Sequence, residues 1–259
     1  MNTQPLDQAG ADQRRDRDLA AAYASYPHPS LAVDVVLLTI VEGQMRVLVI
    51  ERPEPAHRGR YALPGGFVRI DESLDEAAAR VLREKCGLEN IFTEQLYTFG
   101  TPDRDPRTRV VSCTYFALLP AAVLAARANL GPGSLMAQVL VPWAGETGGP
   151  VQLLDDGDTE LINLAFDHGQ IIGIAIKRLR AKIWYAPVAL EMLPPTFSLG
   201  DLQQVYETIL GGPLQKNTFR LRLRASGFLE ETGERRVSPG ASFRPPMLYR
   251  FVKPESGAI

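Results

Sequence analysis

Apolar residues recur along this chain with two different periods, and the changes of period mark out its elements. LAVDVVLLTI, from Leu31, is an almost unbroken apolar run. After Glu42-Gly43 comes MRVLVIE, and the two together predict a hairpin of buried strands. Further strands are expected at Gln95–Gly100, at Arg109–Leu119 and near Val139–Trp143. Between the first and second pair the period changes to that of a helix, with Leu74, Ala77, Ala78, Val81 and Leu82 on one face. Ser73 and Glu76 have capping-box spacing at its start, and Gly87 offers the left-handed residue that ends it. Leu164, Ile171, Ile172, Ala175, Ile176 and Leu179 predict another helix, with basic residues toward its end. The Gly- and Asp-rich stretch from Ala144 to Asp158 reads as a loop. Residues 30–185 thus predict a mixed sheet between helices.

The pattern changes after Pro194-Pro195. Leu199, Leu202, Val205, Tyr206 and Ile209 give a short helix a buried stripe, and Ser198 and Asp201 cap its start. Gly211-Gly212-Pro213 separates it from a second helix, roughly Asn217 to Ala225, that buries Phe219 and Leu223. Lys216, Arg220 and Arg224 are spaced by four along one edge, with Arg222 nearby. Gln215 is a weaker residue than Asp or Ser at the expected N-cap. Phe228-Leu229 starts a strand, and the stretch holding Arg235, Arg236 and Arg244 reads as a hairpin wing closing on LYRF. Residues 186–196 are expected to be a linker and 197–254 a winged helix-turn-helix, so the fold class is α+β. The second unit holds nine basic and five acidic residues, on a chain of net charge −2.

Composition narrows the class of protein. With 45% hydrophobic residues, the chain can bury a substantial core. It has no apolar run long enough to cross a bilayer and no apolar signal core, so no membrane partner is expected. Cys86 and Cys113 lack metal or redox spacing, which suits a reducing cytoplasm. Residues 1–29, polar and of mixed charge, are expected to be a flexible tail.

Gly66, Glu72, Arg80, Leu82, Glu84, Gly87 and Leu88 stand in register with G-x5-E-x7-R-E-U-x-E-E-x-G-U, the signature of the Nudix hydrolases. RGRYALPGGFVR, ahead of it, resembles the approach to the same motif. The resemblance implies an α/β/α sandwich that binds a nucleoside diphosphate near the Gly65-Gly66 turn. In that family, carboxylates at the positions of Val81 and Lys85 hold a divalent metal one helical turn apart. With Glu84 remaining, the motif is expected to be catalytically degenerate and to bind no metal. Lys85 would then present its ammonium to the diphosphate. Arg52, Arg60, Arg104, Arg107 and Arg109 are further candidates, because guanidinium forks match phosphate oxygens. Gly65, Gly66 and Phe67 would form the turn, and Tyr61 or Phe99 would stack on the base. His168 reads more simply as a structural histidine.

A Nudix-like domain followed by PTFSLGDLQQVYETILGGPLQKNTFRLRLRASGFLE resembles the Nudix-related transcriptional regulators of NAD metabolism, the NrtR family. LAFDH at Leu164–His168 and the DPR at Asp105–Arg107 belong to the same resemblance. It implies a homodimeric repressor of NAD biosynthesis or salvage genes that binds operator DNA, senses ADP-ribose as effector and requires no cofactor. Lys216, Asn217, Thr218, Arg220, Arg222, Arg224, Arg235 and Arg236 are the expected DNA contacts. The rival expectation is an ADP-ribose pyrophosphatase with metal ligands recruited from Glu72, Glu76, Glu84, Asp103 or Asp105, its C-terminal unit serving dimerisation alone.

Overall fold

The computed structural model describes residues 6–161, 164–236 and 245–252. It opens on α1 (Leu6–Ser25), followed by β1 (Ser30–Val41), β2 (Gln44–Glu51), β3 (Tyr61–Ala62), β4 (Gly65–Phe67) and α2 (Leu74–Cys86). Next come β5 (Phe92–Phe99), β6 (Val110–Leu118), α3 (Ala121–Arg127), β7 (Ser134–Leu140), β8 (Gln152–Leu154) and α4 (His168–Lys182). A 3-10 helix (Pro187–Met192) leads to β9 (Phe197–Ser198), α5 (Leu199–Leu210), α6 (Lys216–Ser226), β10 (Leu229–Arg235) and β11 (Met247–Phe251).

The expected mixed sheet is present, in the order β5-β6-β1-β2-β7-β8, with β3 and β4 paired to β2 and β1. β1 runs parallel to β6 and antiparallel to β2 and β4. Alternation along β1 sends Val33, Val35 and Leu37 to the layer of α2 and α3. Val36 and Leu38 face the layer of α4. A near-continuous apolar strand follows from burial on both faces.

Two expectations are corrected. The tail is not without regular structure: Leu6–Ser25 is helical, as its many Ala, Leu, Gln and Arg residues favour, and from residue 12 its side chains are exposed. The stretch 144–158 contains β8, which pairs with β7. The expected linker, residues 186–196, carries the 3-10 helix, whose Val188, Ala189, Leu190 and Met192 are buried. Those residues join Ile176 and Leu179 of α4 to Leu202, Val205, Phe219 and Leu223 of α5 and α6 in one apolar cluster. β3, β4, β9 and α3 carry too few residues to show a period in the sequence.

Candidate ligand cleft and nucleic-acid interface

A cleft of about 710 Å3, open to solvent, lies where the start of β1, the turn at β4 and the start of α4 meet. Its floor is Asp34, the one carboxylate in the apolar run of β1 and nearly buried. Ser112 Oγ donates to Asp34 Oδ2 at 2.6 Å, and Arg104 Nη2 donates to the same oxygen at 3.3 Å. Gly65 is required beside it, since a Cβ there would lie 2.2 Å from Asp34 Oδ1.

Arg104 also closes a fork on Asp167, with Nε and Nη2 donating at 2.9 and 2.6 Å. Asp167 precedes the first residue of α4, so this fork ties the cleft floor to that helix. His168 is 3% exposed, and its Nδ1 accepts from the Leu63 N–H at 2.8 Å. Because Nδ1 accepts, the proton of the neutral ring is assigned to Nε2, which lies 3.6 Å from Asp34 Oδ1. Burial holds the His168 pKa below its ordinary value, with Asp34 and Asp167 opposing that shift. The expectation of a structural histidine agrees with the Leu63 bond, although the ring also lines the cleft.

At the rim, Arg107 forks onto Asp105, with Nε and Nη2 at 3.0 and 2.7 Å. The pairing raises the Arg107 pKa and lowers that of Asp105. Arg52 pairs with Glu54 at 3.2 Å. Both guanidinium groups approach Phe166, whose ring centre is 4.8 Å from Arg52 and 5.7 Å from Arg107. Phe166 adopts φ 55°, a left-handed conformation rare for an aromatic residue.

Across the cleft, α2 begins and ends as expected: the Ser73–Glu76 capping box forms and Gly87 is left-handed. Arg80 donates from Nε and Nη2 to Glu72 at 2.8 and 2.6 Å, and from Nη2 to the Phe67 carbonyl at 3.0 Å. The same guanidinium reaches Glu84 at 3.3 Å. Arg80 therefore fastens the Gly66–Phe67 turn to the helix, and its hydrogen bonds lower the Glu72 pKa to about 2. Val81 is buried in the apolar layer beneath. Lys85 lines the cleft and has no ion-pair partner among the described residues. Among those residues, no three His, Cys, Asp or Glu side chains gather as a metal site would need.

Of the expected ligand contacts, Arg52, Gly65, Gly66, Phe67, Lys85, Arg104 and Arg107 line the cleft. Arg60, Tyr61 and Arg109 do not. Arg60 is exposed beyond the strand, and Tyr61 packs against the core on β3. Arg109 is spent on backbone carbonyls of Gly100, Thr101 and Val110. Phe99 is buried in the core and cannot stack on a ligand. Sequence reasoning missed Asp34, Glu54 and Phe166. Asp34 carried a signal as a lone acid inside an apolar strand, and Phe166 one as part of LAFDH.

In the second unit, Ser198 and Asp201 form the expected capping box, and α5 ends on left-handed Gly211. The start of α6 is defined despite its unusual cap, because Gln215 Oε1 accepts from the Thr218 N–H at 2.8 Å. β10 pairs with β11, and β11 with β9, as a wing beside the two helices. The connection holding Arg244 lies outside the described residues. Lys216, Asn217, Thr218, Arg222 and Arg224 are exposed, while Arg220 is half-buried. Three expected DNA contacts have internal partners. Arg222 lies 4.0 Å over the ring of Trp184, and Arg236 forks onto Asp201. Arg235 donates to the Pro245 carbonyl at 2.8 Å from an exposed position.

Helix α4 joins the two regions. Its first residue, His168, lines the cleft, and near its other end Arg180 donates from Nε to the Ile209 carbonyl of α5 at 2.7 Å. Just beyond α4, Trp184 packs against Tyr206 of α5 and Phe219 of α6.

Comparison with known proteins agrees with this architecture. Residues 29–133 match the NUDIX domain, and residues 189–251 match the NrtR DNA-binding winged helix domain. The ADPR responsive transcriptional repressor NtrR of Acinetobacter baylyi is 34% identical over 231 residues, 88% of this chain and 84% of that protein. An ADP-ribose pyrophosphatase of Methanocaldococcus jannaschii is 39% identical over 101 residues, 39% of this chain and 57% of that enzyme. The crystal structure of Shewanella oneidensis NrtR complexed with a 27mer DNA superposes with a TM-score of 0.70 at 33% identity, covering 86% of this chain and 93% of that one. With both domains in this order and so much of a repressor's length matched, the chain belongs to the NrtR family of Nudix-related transcriptional regulators.

Proposed function

We propose that this protein is an ADP-ribose-responsive, DNA-binding transcriptional repressor, with NAD biosynthesis or salvage genes as its targets. The observation that carries the reading is the single helix α4, with a cation-rimmed cleft at its start and the helix-turn-helix at its end. The names of the Acinetobacter and Shewanella relatives support the same reading.

ADP-ribose would lay its diphosphate beside Lys85, Arg107 and the Gly65–Phe67 turn. Lys85 has the freest charge, since Arg52 and Arg107 already face Glu54 and Asp105. Phe166, in place of Tyr61 or Phe99, would offer its ring to the base or ribose. The site does not fit the divalent metal of active relatives: an isopropyl group and an ammonium stand at two carboxylate positions, and neither donates to a cation. Hydrolysis is therefore not part of this reading. The enzyme alternative draws on the Methanocaldococcus relative. It needs Glu72, Glu76, Glu84 or Asp105 to leave their present partners, Arg80, the Ser73 amide and Arg107.

A homodimer would present two copies of α6 to half-sites one helical turn apart, on the order of 34 Å. Ligand that favours another spacing releases DNA, and linkage requires DNA to weaken ligand binding equally. The test is fluorescence anisotropy of duplexes tiled across the flanking DNA of its gene, titrated with protein and then with ADP-ribose. Binding reversed by ADP-ribose and not by equal AMP is expected. Absence of DNA binding together with Mg2+-dependent cleavage of ADP-ribose would establish the enzyme instead.

A further inference from the structure

An apolar side chain stands exposed on the outer face of α6. Phe219 and Leu223 turn inward and are buried. Leu221 stands two residues from each, about 200° around the helix axis, and so lies opposite the buried stripe. It is 71% exposed. Asn217 and Thr218 one turn earlier, and Arg224 and Ala225 one turn later, are exposed beside it. The stripe read from sequence is displaced, because Arg220 is half-buried and Arg222 lies back over Trp184. The crest is therefore a bulky aliphatic group with an amide one turn before it and a guanidinium one turn after. A single exposed leucine ordinarily needs no explanation. On a basic helix laid in a groove by its exposed face, this position would be the one turned to the base edges.

Resting on the DNA-binding reading above, we propose that Leu221 is a specificity residue that packs on the 5-methyl group of a thymine in the major groove. That methyl is the apolar feature the groove displays, and an aliphatic side chain is the group that reads it. Asn217 presents a donor and an acceptor on the same ridge, a pattern suited to the neighbouring adenine edge. Lys216 and Arg224 then serve the phosphates, which set position and salt dependence while carrying no sequence information. Leu221 has no charge, so it alters which sequence is preferred and leaves the salt dependence unchanged.

The test begins with a duplex selected from a random pool by the full-length protein. Each thymine is then replaced singly by deoxyuridine, which removes only the methyl group. At one thymine in each half-site, the wild-type protein should bind about fourfold more weakly, the effect of one buried methyl. Leu221→Ala should be weaker on the parent duplex, indifferent to deoxyuridine at that position, and unchanged in salt slope. A wild-type protein indifferent to every replacement overturns the proposal, as does a Leu221→Ala protein as methyl-sensitive as wild type. Should Leu221→Ala change the assembly mass in sedimentation while methyl sensitivity persists, the side chain serves contact between chains and the proposal fails. Failure to enrich any duplex sinks the DNA-binding reading itself, a result distinct from methyl indifference in a protein that binds.

Discussion

Arg180 of α4 and Ile209 of α5 are joined by a hydrogen bond of 2.7 Å from the guanidinium Nε to the backbone carbonyl. The Arg180 side chain is buried, and its Nη1 serves the carbonyls of Trp143 and Gly145 at 2.9 and 3.1 Å. Gly211 follows so closely that a Cβ there would lie 2.8 Å from Arg180 Nη2. The guanidinium thus caps the last turn of α5 from the helix that starts at the cleft. Replacing it with Met leaves three carbonyls without this donor. We expect Arg180→Met to lose about 2 kcal/mol of stability, since the Ile209 carbonyl is left buried and unsatisfied at a cost of ~1–3 kcal/mol. We also expect ADP-ribose to release less DNA from this variant, read from anisotropy titrations with and without ligand. Full retention of that release would show that coupling does not pass through this contact.

At the cleft, Lys85 is expected to supply charge where active relatives place a metal. In chelator, Lys85→Glu should weaken ADP-ribose binding by about tenfold or more, through loss of a charge-assisted contact and gain of a repulsive one. Isothermal titration measures this directly. Val81→Glu should behave differently, because Val81 is 1% exposed among apolar neighbours. Burying a carboxylate there costs several kcal/mol, on the order of the ~2–7 kcal/mol for an uncompensated polar group. Its effect should appear as a lower melting temperature. The double variant, assayed for ADP-ribose cleavage with Mg2+, should exceed the wild-type protein in turnover.

Much of this arrangement was legible beforehand, for identifiable reasons. The Ser73–Glu76 and Ser198–Asp201 boxes, the left-handed Gly87 and Gly227, and the buried faces of α2 and α5 are local patterns, and each formed as its residues dictate. Placement of arginines was not legible. A guanidinium is satisfied wherever carbonyls, carboxylates or aromatic rings happen to converge, and that depends on distant elements. Arg109 therefore turned to the carbonyls of its own loop, and Arg222 to Trp184. Phe166 reaches the cleft through a left-handed turn that nothing in its local sequence specifies.

His168 should make stability depend on pH. Its Nδ1 must accept from Leu63, which the neutral ring allows, and burial depresses its folded pKa below 6.5. Below pH 6.5 the unfolded chain takes up a proton that the folded protein refuses, so stability falls. The contribution is complete above about 6.5 and declines below it. Urea midpoints measured between about pH 5 and 8 should therefore drop on the acid side. His168→Asn keeps an acceptor for Leu63 without a titrating ring, and should flatten that slope. A slope unchanged in His168→Asn would assign it to other groups.

The basic residues of the winged helix should divide into two classes. Lys216 and Arg224 are exposed on α6 and form no ion pair among the described residues. Arg236 instead forks onto Asp201, the partner of Ser198 in the capping box of α5, and hydrogen bonding to Arg236 helps to hold the Asp201 carboxyl below its usual range against the opposing effect of burial. Neutralising a phosphate contact removes about 0.9 from the slope of log K against log salt. Arg224→Ala and Lys216→Ala should each reduce that slope by about one, with little change in melting temperature. Arg236→Ala should leave the slope nearly unchanged and lower stability by about 1 kcal/mol, as for a partly exposed ion pair that also supports a helix cap. Salt titrations on one duplex, paired with thermal unfolding of each variant, separate the two classes. A loss of slope in Arg236→Ala equal to that of Arg224→Ala would mean that the wing arginine leaves Asp201 when DNA binds.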